Sequence, residues 1–412
     1  MKKRSKNTET RTMVLVFMTV FIGWIGFSLP YPVFSHLFLD LDGSLLANDT
    51  SPQARTLLLG AAIAVYPLGQ IIGAPLFGHW SDRIGRKPVL KAALLTAVAG
   101  GAFLAAGVSA DSLPLLFLGR FVAGLGEGNI AIVQSLAADV SSPESKARNF
   151  AVIGIAMDLG FVVGPVLGGV LADPSLSEAF GFAFPFWTAA GLFALNALVV
   201  PLFLNSGTRT NPSCVTEPTP PLVRAVSDPL IVRLLVLSFL TYWAVMIFFD
   251  FFPVFFVQLY DTPPRELGIN AALLSLPLIL SGLVVGRIVT RYGPGTTAAA
   301  SFVLLFIGIA LFVRATSQTG HILPAILVSI GINFGQTATS VLVSDAASKA
   351  QQGQILGLYR AITVLAGGLA AAVGGYFASL SPQAPFMTAL AAAGMGLVML
   401  MVMSKKARRA KA

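Results

Sequence analysis

Residues 78–90, GHWSDRIGRKPVL, gather Asp82, Arg83, Arg86 and Lys87 into one short stretch of a chain that is 55% hydrophobic and only 11% charged. Apolar runs flank it, residues 53 to 77 and 88 to 109. Each has the length, about 20 residues, that a helix needs to cross roughly 30 Å of hydrocarbon. Working outward in both directions, the same pattern recurs. The spans are 12 to 37, 53 to 77, 88 to 109, 112 to 138, 148 to 172, 181 to 204, 229 to 257, 266 to 290, 296 to 315, 320 to 344, 353 to 379 and 383 to 403. Backbone in lipid must satisfy its own hydrogen bonds, and these runs lack the two-residue alternation of a barrel strand. The expectation is an all-α membrane protein with twelve transmembrane helices.

Lys and Arg set the orientation. With both termini cytoplasmic, 23 of the 27 basic residues fall on the cytoplasmic side, Arg120 lies within a span, and only Arg55, Arg265 and Arg314 fall outside. That is the positive-inside pattern, so the net charge of +9 is a topology signal and not a nucleic-acid footprint. The basic residues 1 to 11 precede an apolar run longer than a signal peptide's, with no evident cleavage site, and are expected to stay. Cys214, the single cysteine, has no disulfide partner and is expected to be a reduced thiol.

Residues 205–228 are rich in Pro, Thr and Ser and read as a cytoplasmic linker. The expected domains are 1–204 and 229–412, each a six-helix bundle. The halves echo each other. Asp139 and Asp345 are 206 residues apart, Gly168-Gly169 maps onto Gly374-Gly375 at the same offset, and GHWSDRIG maps onto GRIVTRYG at 208. Near-equal offsets argue for a duplicated unit, a plan typical of secondary transporters.

Three motifs now point to a family. Gly78, Asp82, Arg83, Gly85, Arg86 and Lys87 resemble the loop between helices 2 and 3 of the major facilitator superfamily. Leu116, Arg120, Gly124 and Gly126 are similar to its second motif. Gly160, Gly164, Pro165, Gly168 and Gly169 look like the antiporter motif of the twelve-helix drug/proton exporters. The run from 81 to 172 is especially similar to tetracycline/proton antiporters and their multidrug relatives. The glycines Gly78 and Gly85 suit a tight turn, and Asp82 can pair with Arg86. The resemblance implies that Arg86 reaches Asp139, that Asp82 faces the start of the eleventh span, and that the cluster works as a breakable cytoplasmic gate. The second half keeps Gly286, Arg291 and Gly293 but has Thr290 where the first has Asp82, so the gate is expected to be asymmetric.

Charges inside the membrane are costly, about 2.5 to 3.5 kcal/mol at a helix centre, and each is a functional hypothesis. Arg120 and Glu127 are seven residues apart and share a face of the fourth span. By the resemblance that span lines a central cavity, so both would point at substrate and water. Glu127 is the first candidate proton carrier, Arg120 its tuning partner and Asp158, one turn before the antiporter motif, a second carrier. A static polar contact is the alternative for each. Asp250 sits in MIFFDFFPVFF and suits an amphipathic cation among aromatic faces; otherwise the phenylalanines face lipid. Trp24, Phe27, Tyr31, Asn333 and Gln336 are further substrate-contact candidates. Tetracycline exporters carry an acidic residue within the first span, whereas this chain has none between Glu9 and Asp40.

No Walker A or H-E-x-x-H motif occurs and the three histidines are scattered, so no metal, cofactor or enzymatic activity is expected. The reading is a monomeric proton-coupled exporter of small amphipathic molecules in a bacterial inner membrane, with protons and the lipid bilayer as its other partners. The alternatives are an importer, such as a proton symporter for a nutrient or siderophore-like solute, and a non-transporting membrane sensor.

Overall fold

The computed structural model describes residues 2–40, 45–142, 145–204, 228–348 and 351–409. Cys214 and nearly all of the expected linker lie outside the described residues. The helices are α1 (Lys2–Ser28), α2 (Tyr31–Leu39), α3 (Pro52–Ile84), α4 (Arg86–Ser109), α5 (Leu113–Gly126), α6 (Asn129–Val140), α7 (Lys146–Leu171), α8 (Phe184–Phe203), α9 (Pro229–Tyr260), α10 (Pro264–Tyr292), α11 (Pro294–Arg314), α12 (Ile322–Ala346), α13 (Gln352–Leu380) and α14 (Ala384–Arg409). Among the described residues there are no strands, and eleven helical stretches are long and apolar enough to cross a membrane. Phe184–Val200 is a shorter apolar helix where the sixth span was expected.

Helix starts follow from local chemistry. Ser51 caps α3 by accepting the Ala54 amide at 3.2 Å, and Asp228 caps α9 by accepting the Leu230 amide at 2.8 Å. Both helices open with proline, whose missing N–H costs nothing in a first turn.

Two expected spans are interrupted. The first divides into α1 and α2 at Leu29–Pro30, where Pro30 and Pro32 lack the amides a continuous helix would need. The fourth divides into α5 and α6 at Glu127–Gly128, where the amides of Glu127, Gly128 and Ile130 bond three residues back, at 3.1 to 3.2 Å. The Asn129 side chain donates to the freed Gly126 carbonyl at 3.0 Å. In contrast, α3 runs on through Gly78 to Ile84, and a side chain at Gly78 would meet nothing. The expected turn therefore rests on Gly85 alone, at φ 97°.

The chain divides into two compact units, Met1–Ser213 with Thr262–Ala272, and Cys214–Asp261 with Leu273–Ala412. The sequence boundary assigned Thr262–Ala272 to the second bundle, but its contacts are with the first. Within the first unit α1 packs on α7, α4 on α5 and α4 on α8; within the second, α9 packs on α13, α11 on α12 and α11 on α14. These are equivalent pairs six membrane spans apart. Exposed leucines such as Leu195, Leu198 and Leu202 on α8 are the kind of surface that lipid covers.

Candidate functional site

Close helix approach builds the polar centre of the first unit. Side chains added at Gly69, Gly73, Gly124 or Gly128 would strike backbone across the α3–α5–α6 contact, so these glycines let the helices touch. That approach brings Tyr66 of α3 against Glu127. The Tyr66 hydroxyl donates to Glu127 Oε2 at 2.8 Å. Arg120 donates from Nε to the Ala62 carbonyl at 3.1 Å, and its guanidinium lies 4.7 Å from the Tyr66 ring centre and 4.9 Å from that of Phe34. Arg120 is 6% exposed and Glu127 7%. Both side chains contact Tyr66 of α3, which lies between them. Cation, aromatic ring and carboxylate form one stacked network, in which a proton on Glu127 alters what Tyr66 donates to.

Trp24, Phe27 and Tyr31 extend this network. Phe27 lies 5.4 Å from Tyr66, 5.3 Å from Trp24 and 5.9 Å from Tyr31. Phe161 of α7 closes the group, 6.0 Å from Tyr31 and 6.2 Å from Trp24. Trp24 Nε1 is buried without a hydrogen-bond partner among the described residues. Asp158 lies one turn before Phe161 on α7, half-buried, with no hydrogen bond or ion pair among the described residues. Sequence reasoning missed Tyr66 and Phe161. Neither carries charge, and only the fold joins them to residues far away in the chain.

The glycine motif on α7 serves the α1 contact. Gly160, Gly164 and Gly168 recur every fourth residue and lie against Phe21, Trp24, Ile25, Ser28 and Leu29. The Ser28 hydroxyl donates to the Gly160 carbonyl at 3.2 Å. Gly169 instead meets Pro264 and Arg265, and the Pro165 carbonyl meets Gly268.

At the charged loop, Arg86 donates from Nη1 to Asp82 at 2.7 Å and to the Ser81 hydroxyl at 2.9 Å, and from Nε to Asp139 at 3.2 Å. Gly85 supplies the turn that sets Arg86 beside both carboxylates, while Arg83 is exposed.

In the second unit Asp250 is 6% exposed on α9. Four of the neighbouring phenylalanines are buried and turned away from it. Phe248, Phe252, Phe255 and Phe256 project from another side of the helix and pack with Phe312, at ring distances of 5.1 to 6.5 Å. Asn333 donates from its side-chain amide to the Leu278 carbonyl at 3.1 Å, which ties α12 to α10. Gln336 is part-exposed one turn further on. Among the described residues no group of His, Cys, Asp and Glu could hold a metal ion.

Comparison with known proteins agrees with this architecture. The family model for the Major Facilitator Superfamily matches residues 16–263 and matches again at 234–412. The chain is 28% identical over 365 residues to the class E tetracycline resistance protein of Escherichia coli, covering 86% of this chain and 85% of that one. It is 22% identical over 411 residues to the quinolone resistance protein NorA of Staphylococcus aureus, covering 97% and 98%. In fold it is similar to the human organic anion transporter MFSD10, with a TM-score of 0.66 and 20% identity over 95% of this chain and 99% of that one. A D-xylose-proton symporter gives a TM-score of 0.73 at 17% identity, over 95% and 96%.

Proposed function

The chain belongs to the Major Facilitator Superfamily, a family of transporters and not enzymes, and from that premise we propose that it is a proton-coupled exporter of small amphipathic molecules working by alternating access. The observation that carries the coupling is the buried Glu127 carboxylate, held by Tyr66 beside the Arg120 cation. An ionisable group buried within a membrane span is costly whatever its role, which makes it a functional hypothesis by default. Glu127 takes the proton, Arg120 and Tyr66 stabilise it when the proton leaves, and Asp158 is the second carrier. Resistance proteins among the relatives, together with the Gly160–Gly169 run packed on α1, support export over import.

The proposed substrate contacts are Trp24, Phe27, Tyr31 and Phe161 in the first unit and Asp250, Asn333 and Gln336 in the second. Tetracycline is not the proposed substrate, because the first span lacks an acidic residue between Glu9 and Asp40. Arg86, Asp82 and Asp139 act as the cytoplasmic gate. The protein works as a monomer in a bacterial inner membrane with both termini inside, the orientation the basic residues favour. One proton moving across about 150 mV supplies roughly 3.5 kcal/mol, enough for a gradient of a few hundredfold in a neutral substrate.

The test uses purified protein in liposomes with an imposed pH gradient and a fluorescent organic cation. Cation movement opposite to protons, lost in Glu127→Gln while counterflow persists, is the expected result. Equal gradient-driven movement in wild type and Glu127→Gln would remove Glu127 from the mechanism.

A further inference from the structure

His36 lies on α2, outside the machinery assigned above, and is 4% exposed. Both ring nitrogens are engaged. Nδ1 is 2.8 Å from Asp40 Oδ2, and Nε2 is 2.9 Å from the Thr262 backbone carbonyl. The ring is stacked on Phe182, with centroids 6.3 Å apart. A carbonyl oxygen only accepts, and an ionised carboxylate only accepts. An imidazole set between two acceptors therefore needs hydrogen on both nitrogens, or hydrogen on Nε2 and on the Asp40 carboxyl. Either way the arrangement holds one proton more than a neutral histidine beside an ionised aspartate.

What this proton joins is informative. Thr262 opens the segment Thr262–Ala272, which follows α9 in sequence yet packs within the first unit. The segment also approaches α7 closely, Gly169 against Pro264 and Arg265 and Gly268 against the Pro165 carbonyl. Beside it lies a cavity of about 520 Å³ lined in part by Asp173, Phe182, Arg265 and Glu266. The Asp40 side chain is 28% exposed, which gives the pair a route to water. The start of α3 is at this end of the bundle and the Arg86 turn is at the other, one 33-residue helix away.

The charged groups around the pair come from three further elements. Arg55 of α3 donates to the carbonyls of Phe38, Asp40, Ala47 and Thr50, at 2.8 to 3.3 Å, and is a fixed cation. Asp173, before α8, is held below the usual carboxylate range by the Ser175 side chain and amide, so it stays ionised through neutral pH. Asp261, Arg265 and Glu266 flank Thr262 on the segment itself.

We propose that His36, Asp40 and the Thr262 carbonyl form a proton-dependent clasp, a proton site separate from Glu127 and Asp158, which holds the Thr262–Ala272 segment on α2 at the end of the first unit opposite the Arg86 turn. It goes beyond the transport reading above and does not need Glu127 as carrier. The clasped state binds one proton more than a parted state with neutral His36 and ionised Asp40. The clasped-to-parted ratio thus rises as pH falls and drops as pH rises, by up to about tenfold per pH unit.

The experiment places the full chain in lipid nanodiscs in a Cys214→Ser background and labels Ala172→Cys with a polar maleimide. Ala172 is buried and lines the cavity beside the segment. Rates are divided by those of Ser175→Cys, an exposed position, to remove the titration of the thiol itself. With His36 and Asp40 intact, the referenced rate should climb as pH rises, by up to about tenfold per pH unit. In Asp40→Asn the new amide can donate to Nδ1 while Nε2–H still serves Thr262, so labelling should be slow and flat across pH. His36→Phe removes both hydrogen bonds and should label fast and flat. A flat profile with both residues intact overturns the proposal, as does an unchanged slope in Asp40→Asn, the variant that keeps the clasp and serves alone if His36→Phe fails to fold. Labelling needs neither substrate nor gradient, and Glu127→Gln should leave the pH response intact, so failure here is distinct from failure of the transport reading.

Discussion

The two repeats turn the same corner with different chemistry. Gly85 and Gly293, 208 residues apart, are the glycines with positive φ among the described residues, at 97° and 83°, and each ends one helix and begins the next. In the first repeat Arg86 follows that turn and holds Asp82 at 2.7 Å and Asp139 at 3.2 Å. At the same offset the second repeat has Pro294 and Thr290. The Thr290 hydroxyl donates to the Arg287 carbonyl of its own helix at 2.9 Å, and Arg291 stacks on Tyr292 at 5.4 Å. The turn belongs to the fold, whereas the ion cluster belongs to one half of it.

The same contrast recurs in mid-membrane. At the offset of 206 that joins Asp139 to Asp345, Glu127 corresponds to Asn333 and Arg120 to Ile326. The first repeat breaks its helix at Glu127, and α12 runs unbroken through Asn333. Asn333 uses its amide on a carbonyl of α10, a role a neutral side chain fills without any proton. At these matched positions the two repeats share a scaffold, and only the first carries the charged pair.

The largest expected effect breaks this contrast directly. Glu127→Gln should collapse the steady-state substrate gradient from as much as a few hundredfold toward about one, since the roughly 3.5 kcal/mol of one proton is no longer coupled. Asn333→Leu, at the matching position, should keep proton coupling and lose about 1 kcal/mol of stability from one interhelical hydrogen bond. Liposome transport and thermal unfolding of the two variants decide it. Comparable loss of coupling in both would mean that the repeats share the proton work.

A smaller effect is expected at the turns. Arg86→Ala removes contacts to two carboxylates that are themselves well exposed, 67% for Asp82 and 37% for Asp139. Solvent screening limits their worth to about 1 kcal/mol, or about a fivefold change in the balance of states. Transport rate should change by about that factor in Arg86→Ala and hardly at all in Arg291→Ala. Equal effects would make both turns gates.

Much of the fold was legible in the sequence because hydrophobic length, basic-residue bias and repeat offset all report on the bilayer. The apolar runs predicted helices at all twelve span positions, and the glycine that turns the chain stood in the quoted stretch. The helix breaks at Leu29–Pro30 and Glu127–Gly128 were not legible. A break inside an apolar run is decided by which neighbour can accept its freed carbonyls, as Asn129 does for Gly126. Of the candidate site, the charged members could be picked out because charge is scarce here. Their orientation could not, since a glycine-lined contact with α3 turns Arg120 and Glu127 toward Tyr66. The aromatic run around Asp250 could not be sorted by sequence for a related reason: phenylalanines adjacent in sequence diverge around a helix, and several pack into the core of the second unit.

The finest comparison sets glycine against glycine. Gly164 and Gly78 both belong to motifs, yet a methyl group at Gly164 would strike Ser28 and the Ile25 carbonyl, whereas at Gly78 it would meet open space. Gly164→Ala should therefore cost about 1 to 3 kcal/mol through overpacking of α7 on α1. Gly78→Ala lies inside α3 with ordinary helical geometry and should stabilise that helix by about 0.5 to 1 kcal/mol, because alanine gives up less backbone freedom. Thermal unfolding of both variants in the same detergent measures the difference in sign. If Gly78→Ala also reduces transport while raising stability, Gly78 is needed for a helix movement near Asp82 and not for the turn. If transport is unchanged, the corner needs Gly85 alone, as Gly293 suffices in the second repeat.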